Sequence, residues 1–381
     1  METTSLYPTT MSLYANVSVS SANETVTEGC CLVTALHVML ITVIWGIIIA
    51  VGSLGNLIVI YVMCCHGDRS ATSYFVINLA IADFAFMTIV VSLNTSMFGS
   101  LDWLYGNDVC KLTQYMIHVN LLATCLTLTA MTVDRYFAIV HPIRSLRSRT
   151  PKVPIFINIG IWLASFSLST PYILYYRIVS DYYLGPRVYC KAEWPDPRWQ
   201  RGVTVAVVMA TYVLPLTVII LCYTLILKHL WKNKVTARRD NDPQPAVSEG
   251  TSGNTTHDRR RRKVAKMVAI VVILFASLWL PIHAFSLAYH FHPNFPKTQL
   301  LYNIKLIAHT LSFFNSCVNP FVYAFMGDGF RRAFRKSFPS CTRHNRIIPW
   351  AVTEAGHSAM NDTRMTETFR NRSNTQKNSK V

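Results

Sequence analysis

Apolar residues along this chain fall in long blocks rather than at the spacing of amphipathic surface helices. Each block holds roughly 20 residues or more, the length that a helix needs to cross about 30 Å of hydrocarbon. Backbone polar groups in hydrocarbon must be satisfied within their own segment, so each block is predicted to be a helix. The seven blocks are residues 34–63, 73–98, 111–140, 153–176, 202–230, 264–290 and 300–325.

The blocks differ in polar content in a way that predicts their surroundings. The first and sixth are almost unbroken, whereas the second, third and seventh carry polar residues, as helices do when one side faces a bundle interior. The whole chain is 51% hydrophobic and only 14% charged, against about 25% charged in a typical soluble domain. These features predict an all-α membrane protein, a seven-transmembrane helix bundle at 33–326, over a soluble protein with buried helices.

Lysine and arginine in the loops predict the orientation of the bundle. Residues 1–32 and the loop at 99–109 contain neither, while the loops at 141–152 and 228–266 are rich in both. Cytoplasmic loops carry the excess of these residues, so the N-terminus is expected outside and the C-terminus inside. This distribution explains the formal charge of +17, and a charge spread loop by loop argues against nucleic acid as a partner.

Several residues on the predicted outer side are candidates for covalent modification. Asn16 and Asn23 begin glycosylation sequons in the N-terminal segment 1–32. Cys110 starts the third block and Cys190 precedes the fifth, and both are expected on the oxidising side of the membrane. A disulfide between these two cysteines would tie the loop before the fifth span across the mouth of the bundle.

The segment after the seventh block predicts a short amphipathic eighth helix at 327–341. Phe330, Phe334 and Phe338 recur at helical spacing with basic residues between them, which is typical of a helix lying on the inner leaflet. Cys341 just beyond is a predicted palmitoylation site.

Two polar segments, 235–258 and the cytoplasmic tail 342–381, are low in aliphatic residues and are predicted to be disordered. The final Ser379–Val381 matches a PDZ-binding end, although so short a match has little weight.

Asp83 lies near the middle of the second block, where an ionisable residue is costly and is a functional hypothesis by default. Bundle packing could surround its carboxylate with neutral oxygen groups, which suits a sodium ion or a proton. A neutral Asp hydrogen-bonded within the bundle explains the residue equally well. The expected partners are Asn56, Thr124, Asn315 and Asn319.

Asp134 and Arg135 stand side by side at the end of the third block, at the cytoplasmic edge. The two charges can neutralise each other there and can also separate, so the pair is a candidate lock. A simple interfacial anchor, with the arginine reaching toward headgroups, is the alternative.

Prolines in three blocks predict helices that bend, because proline removes an internal hydrogen bond. Pro281 follows Trp279 in the sixth block, Pro320 belongs to the sequence NPFVY in the seventh, and Pro215 lies in the fifth.

Taken together, these residues resemble the rhodopsin-like G-protein-coupled receptors over about residues 33–341. The matching motifs are Gly55–Asn56, Leu79–Asp83, Asp134–Tyr136, Trp162, Pro215 with Tyr223, Trp279 with Pro281, and Asn319–Tyr323. Leu278 is a departure, since the family usually has cysteine there. Among these receptors the chain is similar to the kisspeptin receptors, and also to galanin and allatostatin-A receptors, through WLYGNDVCK, ATCLTLTAMTVDRY, RSLRSRTP and GPRVYC.

The resemblance implies a peptide ligand. Opsins have a lysine where this chain has Phe313, and aminergic receptors have an aspartate where it has Ile117. Kisspeptin-type peptides end in Arg-Phe-amide, which needs a polar contact for the amide and an aromatic slot for the ring. The expected pocket residues are Gln114, His118, Tyr212, His283, Ser286, Lys305 and His309; for each, ordinary hydrogen bonding between helices is a rival role. The outer acids expected to attract a basic peptide are Glu28, Asp102, Asp108, Asp181, Glu193 and Asp196.

The resemblance also implies an activation switch that acts on a heterotrimeric G protein at the plasma membrane, with Gq/11 and calcium favoured. Its expected members are Asp134, Arg135, Tyr136, Trp279, Pro281, Phe275, Pro215, Tyr223, Asn319, Pro320 and Tyr323, with Cys125 packed among them. Receptor kinases, arrestin and membrane lipid are further expected partners, and no cofactor is expected beyond an allosteric sodium ion. The chain is not expected to be an enzyme. The alternatives are a Gi/o-coupled galanin-like or allatostatin-A-like receptor and, more distantly, a transporter or channel.

Overall fold

The computed structural model describes residues 21–100, 102–142, 150–181, 187–239, 252–296 and 298–339. Side chains are described in the same ranges except at 21–37, 98–100, 181, 187, 233–239 and 252–261. The predicted modification sites at Asn16, Cys341 and the side chain of Asn23 lie outside this part of the chain, as does the tail at 342–381.

Helices follow the seven predicted blocks in order, and two of the spans contain a π-helical turn. The first span is Ser21–His66; the second is Ala71–Ala85, the π-helical turn Phe86–Val91 and Ser92–Ser100; the third is Gly106–Val140; the fourth is Lys152–Leu168 with Thr170–Tyr175; the fifth is Pro197–Val208, the π-helical turn Met209–Val213 and Leu214–Arg239; the sixth is Ser252–Phe291; the seventh is Gln299–Met326; and the tail helix is Asp328–Ser337.

Six helices in the described part of the chain are long and apolar enough to cross a membrane by length and composition. The seventh helix has 28 residues, about 42 Å at 1.5 Å per residue, which also exceeds the hydrocarbon thickness. It is less apolar because its buried side carries polar residues, including Ser312, Asn315, Ser316 and Asn319. The predicted all-α membrane bundle with a short tail helix is confirmed. The side of its seventh span that faces the bundle interior carries amide and hydroxyl side chains.

Helix ends extend beyond the apolar blocks on the predicted cytoplasmic side. The segment 235–258, predicted to be disordered, is helical at both ends, since the fifth span continues to Arg239 and the sixth begins at Ser252. Lysine and arginine are good helix formers. A helix whose first turns are already hydrogen-bonded can therefore continue through basic residues after the chain has left the hydrocarbon. The prediction of disorder was therefore wrong for these helical ends.

A two-stranded antiparallel hairpin, which the helical prediction did not include, follows the fourth span. Its strands are β1, Tyr176–Asp181, and β2, Arg187–Ala192, with Ile178 opposite Cys190. Cys190 forms a disulfide with Cys110 at the start of the third span, which confirms the predicted pairing. The hairpin is thus fixed over one end of the bundle.

Polar contacts tie the second, third and fourth spans together inside the apolar core. Trp162 donates from Nε1 to Oδ1 of Asn78 at 2.8 Å, and Asn78 donates from Nδ2 to Oγ1 of Thr127 at 2.8 Å. Both ends of the Asn78 amide are therefore satisfied in a buried position.

The first and seventh spans approach closely at Gly55. A Cβ atom added there would lie 3.1 Å from Cγ of Pro320. Small residues allow helix backbones to come together in a membrane, so this glycine sets the distance between the two spans.

Candidate functional site

A cavity of about 840 Å³ opens between the hairpin and the ends of the fifth and sixth spans that are predicted to face outward. Its walls combine aromatic and charged side chains. They include Tyr175, Arg177, Lys191, Glu193, Trp194, Tyr289 and His290. Sequence reasoning selected Glu193 as an outer acid and none of the other six, because these residues come from the fourth span, the sixth span and the hairpin with the segment after it.

Two of the charged side chains in the cavity wall pair with each other, and two acids near it bind backbone N–H groups. Arg177 Nε lies 3.0 Å from Glu193 Oε2. Asp102 accepts the backbone N–H of Val188 at 3.0 Å, and Asp196 accepts that of Arg198 at 2.8 Å. Asp102 thus holds the hairpin and Asp196 caps the fifth span, so these acids have structural roles in addition to any attraction for a basic peptide.

Of the three other acids predicted to attract a peptide, the structure describes the side chain of Asp108 alone. Asp108 is exposed in the first turn of the third span, where its charge complements the helix dipole. The side chains of Glu28 and Asp181 lie outside the described residues.

His118 faces the fourth span. Its ring stacks on Tyr172 with centroids 3.3 Å apart and planes 11° apart, and its Nδ1 lies 2.9 Å from the Gln114 carbonyl. Tyr172 in turn meets Trp194 edge-on at 6.2 Å. His118 and Gln114 are thus joined to the aromatic wall of the cavity through Tyr172, which sequence periodicity did not indicate.

Tyr212, His283 and Trp279 form a continuous contact between the fifth and sixth spans. The His283 ring lies 5.1 Å from Tyr212 and 5.9 Å from Trp279, measured between centroids. The Tyr212 hydroxyl donates to the Ala276 carbonyl at 2.8 Å. His283 is buried, and its Nε2 makes no hydrogen bond to the described protein. The structure therefore brings together two predicted pocket residues and a predicted switch residue.

The remaining predicted pocket residues are spread over the outer parts of the sixth and seventh spans. Lys305 is exposed, Ser286 and His309 are half-buried, and the His309 ring lies 6.0 Å from Phe313. Phe313 packs against Trp45 at 5.1 Å. The position where opsins carry lysine is therefore part of an apolar cluster.

Asp83 is fully buried and meets the seventh span. Its Oδ2 accepts a 2.7 Å hydrogen bond from Asn319 Nδ2, and Ser316 also hydrogen-bonds the carboxylate. Asn56 donates to the Ser316 carbonyl at 2.9 Å. Sequence reasoning did not select Ser316, although its hydroxyl and carbonyl both take part.

Four buried oxygens of the predicted sodium-site and switch residues make no hydrogen bond within the described protein: Asp83 Oδ1, Asn56 Oδ1, Thr124 Oγ1 and the Tyr323 hydroxyl. Asn315, also predicted here, is buried on the seventh span. One carboxylate with several neutral oxygens is the donor chemistry of a hard cation, so these residues fit a sodium ion.

The predicted switch residues line the bundle from its centre to its inner end. Trp279 lies 6.1 Å from Phe275 between ring centroids. Cys125 Sγ points at the Ala210 carbonyl at 3.9 Å, in the π-helical turn that precedes Pro215. Such turns loosen the regular ladder, often at functional sites.

Tyr223 and Arg135 occupy the inner end of the bundle. The Tyr223 hydroxyl donates to the Ala265 carbonyl at 2.9 Å and joins the fifth span to the sixth. Arg135 forms an ion pair with its neighbour Asp134, and the Tyr136 hydroxyl lies 3.2 Å from His141 Nε2.

A second ion pair, which the sequence did not indicate, joins the sixth span to the tail helix. Lys263 Nζ lies 3.1 Å from Asp328 Oδ2, and Arg331 also bonds this carboxylate. The hydrogen bond from Arg331, followed by that from Lys263, holds the pKa of Asp328 below its usual range. Arg332 joins the same helix to Asp68 at 3.1 Å.

Comparison with known proteins agrees with this arrangement. The family described as "7 transmembrane receptor (rhodopsin family)" matches residues 55–323. The chain is 40% identical over 306 residues to "G-protein coupled receptor 54" of Oreochromis niloticus, covering 80% of both chains. It is 35% identical to the "KiSS-1 receptor" of Homo sapiens, covering 81% of this chain and 77% of the relative. It is 33% identical to "Galanin receptor 2b" of Danio rerio, covering 80% and 75%.

Proposed function

The chain belongs to the rhodopsin family of seven-transmembrane receptors, and on this premise we propose that it is a plasma-membrane receptor for a kisspeptin-type peptide ending in Arg-Phe-amide. As a member of this family it is a signalling receptor and not an enzyme. Its N-terminus is outside and its C-terminus inside, and its output is a heterotrimeric G protein of the Gq/11 class, with release of calcium. The similarity to the proteins named "KiSS-1 receptor" supports the ligand class.

The observation that carries the proposal is the contact of Tyr212 and Trp279 with His283. These three rings are connected below the outer cavity, and Trp279 continues to Phe275 in the core. A ligand group that reaches His283 therefore touches the residue one turn above Trp279, beside the Pro281 kink. Binding at this point can favour one packing of the sixth span over another, as a population shift requires.

The chemistry of the peptide end matches the groups present. A terminal amide has a carbonyl and two N–H groups, and a neutral histidine nitrogen can accept or donate. His283 Nε2 is buried without a protein partner, so a hydrogen bond from the amide would satisfy it. The phenylalanine ring would then lie against Tyr212 and Trp279.

The arginine of the peptide fits the rim of the cavity. Tyr175 and Trp194 lie 4.8 Å apart between ring centroids, and Glu193 follows on the hairpin. A guanidinium within about 6 Å of an aromatic ring is attracted to its face. The peptide arginine would compete with Arg177 for Glu193, because these two now form an ion pair.

The test compares His283→Ala with the control Ser277→Ala, whose exposed hydroxyl bonds only its own helix carbonyl. Cells expressing each variant at equal surface density are challenged with amidated and free-acid forms of the peptide while calcium is recorded. Leaving one partner of a buried neutral hydrogen bond unsatisfied costs about 1–3 kcal/mol, which predicts a potency loss of roughly 5- to 150-fold for the amidated form. Equal potency of the two variants would exclude His283 from the site, and silence of the unmutated receptor would exclude the ligand class.

A galanin-type peptide acting through Gi/o is the second candidate. The similarity to "Galanin receptor 2b" and other galanin receptors at about the same identity as the "KiSS-1 receptor" proteins favours keeping it. Suppression of cAMP by galanin or allatostatin-A, without a calcium response to the Arg-Phe-amide peptide, would select this branch.

The proposal includes a sodium ion as an allosteric ligand. Asp83 would supply the negative charge, and Asn56, Thr124 and Asn319 would hold or orient the neutral oxygens around it. A bound cation there would join the second and seventh spans and oppose their rearrangement.

Further proposed partners act on the inner side. Receptor kinases and arrestin would use the Ser/Thr-rich tail, which lies outside the described residues, and membrane lipid would contact the basic tail helix.

A further inference from the structure

Cys64 and Cys65 lie together in the last turn of the first span, and both are free and exposed. Two other free cysteines, Cys125 and Cys317, are buried within the bundle, where they pack as small apolar groups. Packing against the protein therefore does not explain the vicinal pair, whose thiols face out of the helix bundle.

The pair continues a stripe of the first span that faces away from the bundle. Leu54, Leu57 and Tyr61 are 61%, 48% and 50% exposed, in a helix apolar enough to span a membrane. Residues three and four apart lie on one face of a helix, and Cys64 and Cys65 follow Tyr61 by three and four residues. Both thiols are thus on the lipid-facing side.

Contacts with the tail helix fix the depth of this pair in the membrane. The Tyr61 ring lies 6.1 Å from Phe338, and Ser337 Oγ lies 2.9 Å from His66 Nδ1. A basic amphipathic helix lies in the interface, with its apolar face at the boundary between headgroups and acyl chains. The end of the first span is bonded to that helix, so the thiols lie at the same boundary on the inner leaflet.

We propose that Cys64 and Cys65 are acylated by long-chain fatty acids through thioester bonds. The thiolate attacks the carbonyl carbon of a fatty acyl-coenzyme A, a new carbon–sulfur bond forms, and coenzyme A leaves as its thiol after the cysteine proton has passed to it. No oxidant or reductant is needed. The attached chain enters the leaflet beside the exposed stripe, and hydrolysis of the thioester reverses the reaction.

Cys64 and Cys65 lie beside the joint between the first span and the tail helix. Arg332 pairs with Asp68 just beyond the two cysteines, so the modified turn borders the joint between the first span and the tail helix. One acyl chain gives marginal membrane binding, whereas a second chain makes it stable. Acylation here would therefore hold the tail helix against the membrane independently of Cys341.

The test counts acylated cysteines by mass-tag exchange in the full-length receptor expressed in mammalian cells. Free thiols are blocked with N-ethylmaleimide, thioesters are cleaved with hydroxylamine, and the released thiols receive a polyethylene glycol maleimide. We expect Cys341→Ser to retain hydroxylamine-dependent mass steps, and Cys64→Ser with Cys65→Ser in that background to remove them. The control Cys222→Ser, at a half-buried thiol of the fifth span, should leave the steps unchanged.

Two results would overturn the inference. One is a Cys341→Ser receptor without any hydroxylamine-dependent step; the other is a step that survives replacement of both cysteines. Mass mapping of the peptide that contains Cys64 and Cys65 in the unmutated receptor gives the same answer without relying on the folding of a variant.

Discussion

The ion pair between Lys263 and Asp328 predicts a restraint on the inner end of the sixth span. In this structure the sixth span is joined there to the tail helix at 3.1 Å, whereas Arg135 pairs with its own neighbour on the third span. We expect Lys263→Gln to raise signalling in the absence of ligand, because a shift of the sixth span to its other packing would no longer require this pair to break.

The expected size follows from the exposure of the two side chains, 56% for Lys263 and 28% for Asp328. Exposed ion pairs contribute about 0.2–1 kcal/mol, which corresponds to roughly a 1.4- to 5-fold change in the equilibrium between inactive and active states. Lys263→Gln is the cleaner variant, since Asp328→Asn would also remove the bond from Arg331.

The assay is basal inositol phosphate accumulation, normalised to receptor at the cell surface. Asp68→Asn is the matched control, because the bond of Asp68 to Arg332 involves the tail helix and not the sixth span. The charge-swapped receptor, Lys263→Asp with Asp328→Lys, should return toward the unmutated level. Basal signalling of Lys263→Gln equal to or below that of the control would refute the reasoning.

The pH dependence of this restraint has a definite sign. The pKa of Asp328 is lowered, so the stabilisation is present above the ordinary carboxyl pKa and is lost only as pH falls through the lowered value. Basal signalling through this pair should therefore not vary between about pH 6 and 8.

Three further predictions concern the bundle itself. Gly55→Val should lower the thermal stability of the detergent-solubilised receptor by about 1–3 kcal/mol, since its side chain would meet the Pro320 ring, whereas Gly46→Val, with nothing within 4 Å, should not. Trp162→Phe should cost about 1 kcal/mol in the same assay, because it leaves a buried amide oxygen of the second span without its donor. Asp83→Asn should abolish the effect of replacing choline chloride by sodium chloride on agonist affinity, and a sodium effect that persists would remove the ion from this site.

The apolar blocks were sufficient to predict the helices but not their ends. The thickness of the hydrocarbon layer determines how many residues of a span must be apolar. The fifth and sixth spans continue past this layer, to Arg239 and from Ser252, so their ends carry no apolar signal. The π-helical turns at Phe86–Val91 and Met209–Val213 have no sequence signal in this chain, because their residues are of types that also form regular spans. The hairpin was missed since its strands have six residues each and, apart from Tyr176 at the start of β1, lie outside the apolar blocks.

Sequence reasoning predicted site residues that stand out within a single helix. It did not predict contacts that depend on how two helices pack against each other. Asp83 was selected because a carboxylate in a span is costly, and Asn319 was correctly expected beside it. The stacking of His118 on Tyr172 depends on the rotation of the third span against the fourth, which one sequence does not determine. The pairing of Lys263 with Asp328 joins residues 65 positions apart.

The geometry of the sixth span connects these separate sites. His283 and Trp279 lie on either side of Pro281, while Lys263 lies 18 residues toward the inner end, about 27 Å along a helix at 1.5 Å per residue. A bend of about 10° at the proline would therefore move Lys263 by roughly 5 Å. That displacement is larger than the 3.1 Å between Lys263 Nζ and Asp328 Oδ2, so it would strain or separate the pair. We therefore expect a change of the bend beside His283 to weaken the restraint between Lys263 and Asp328.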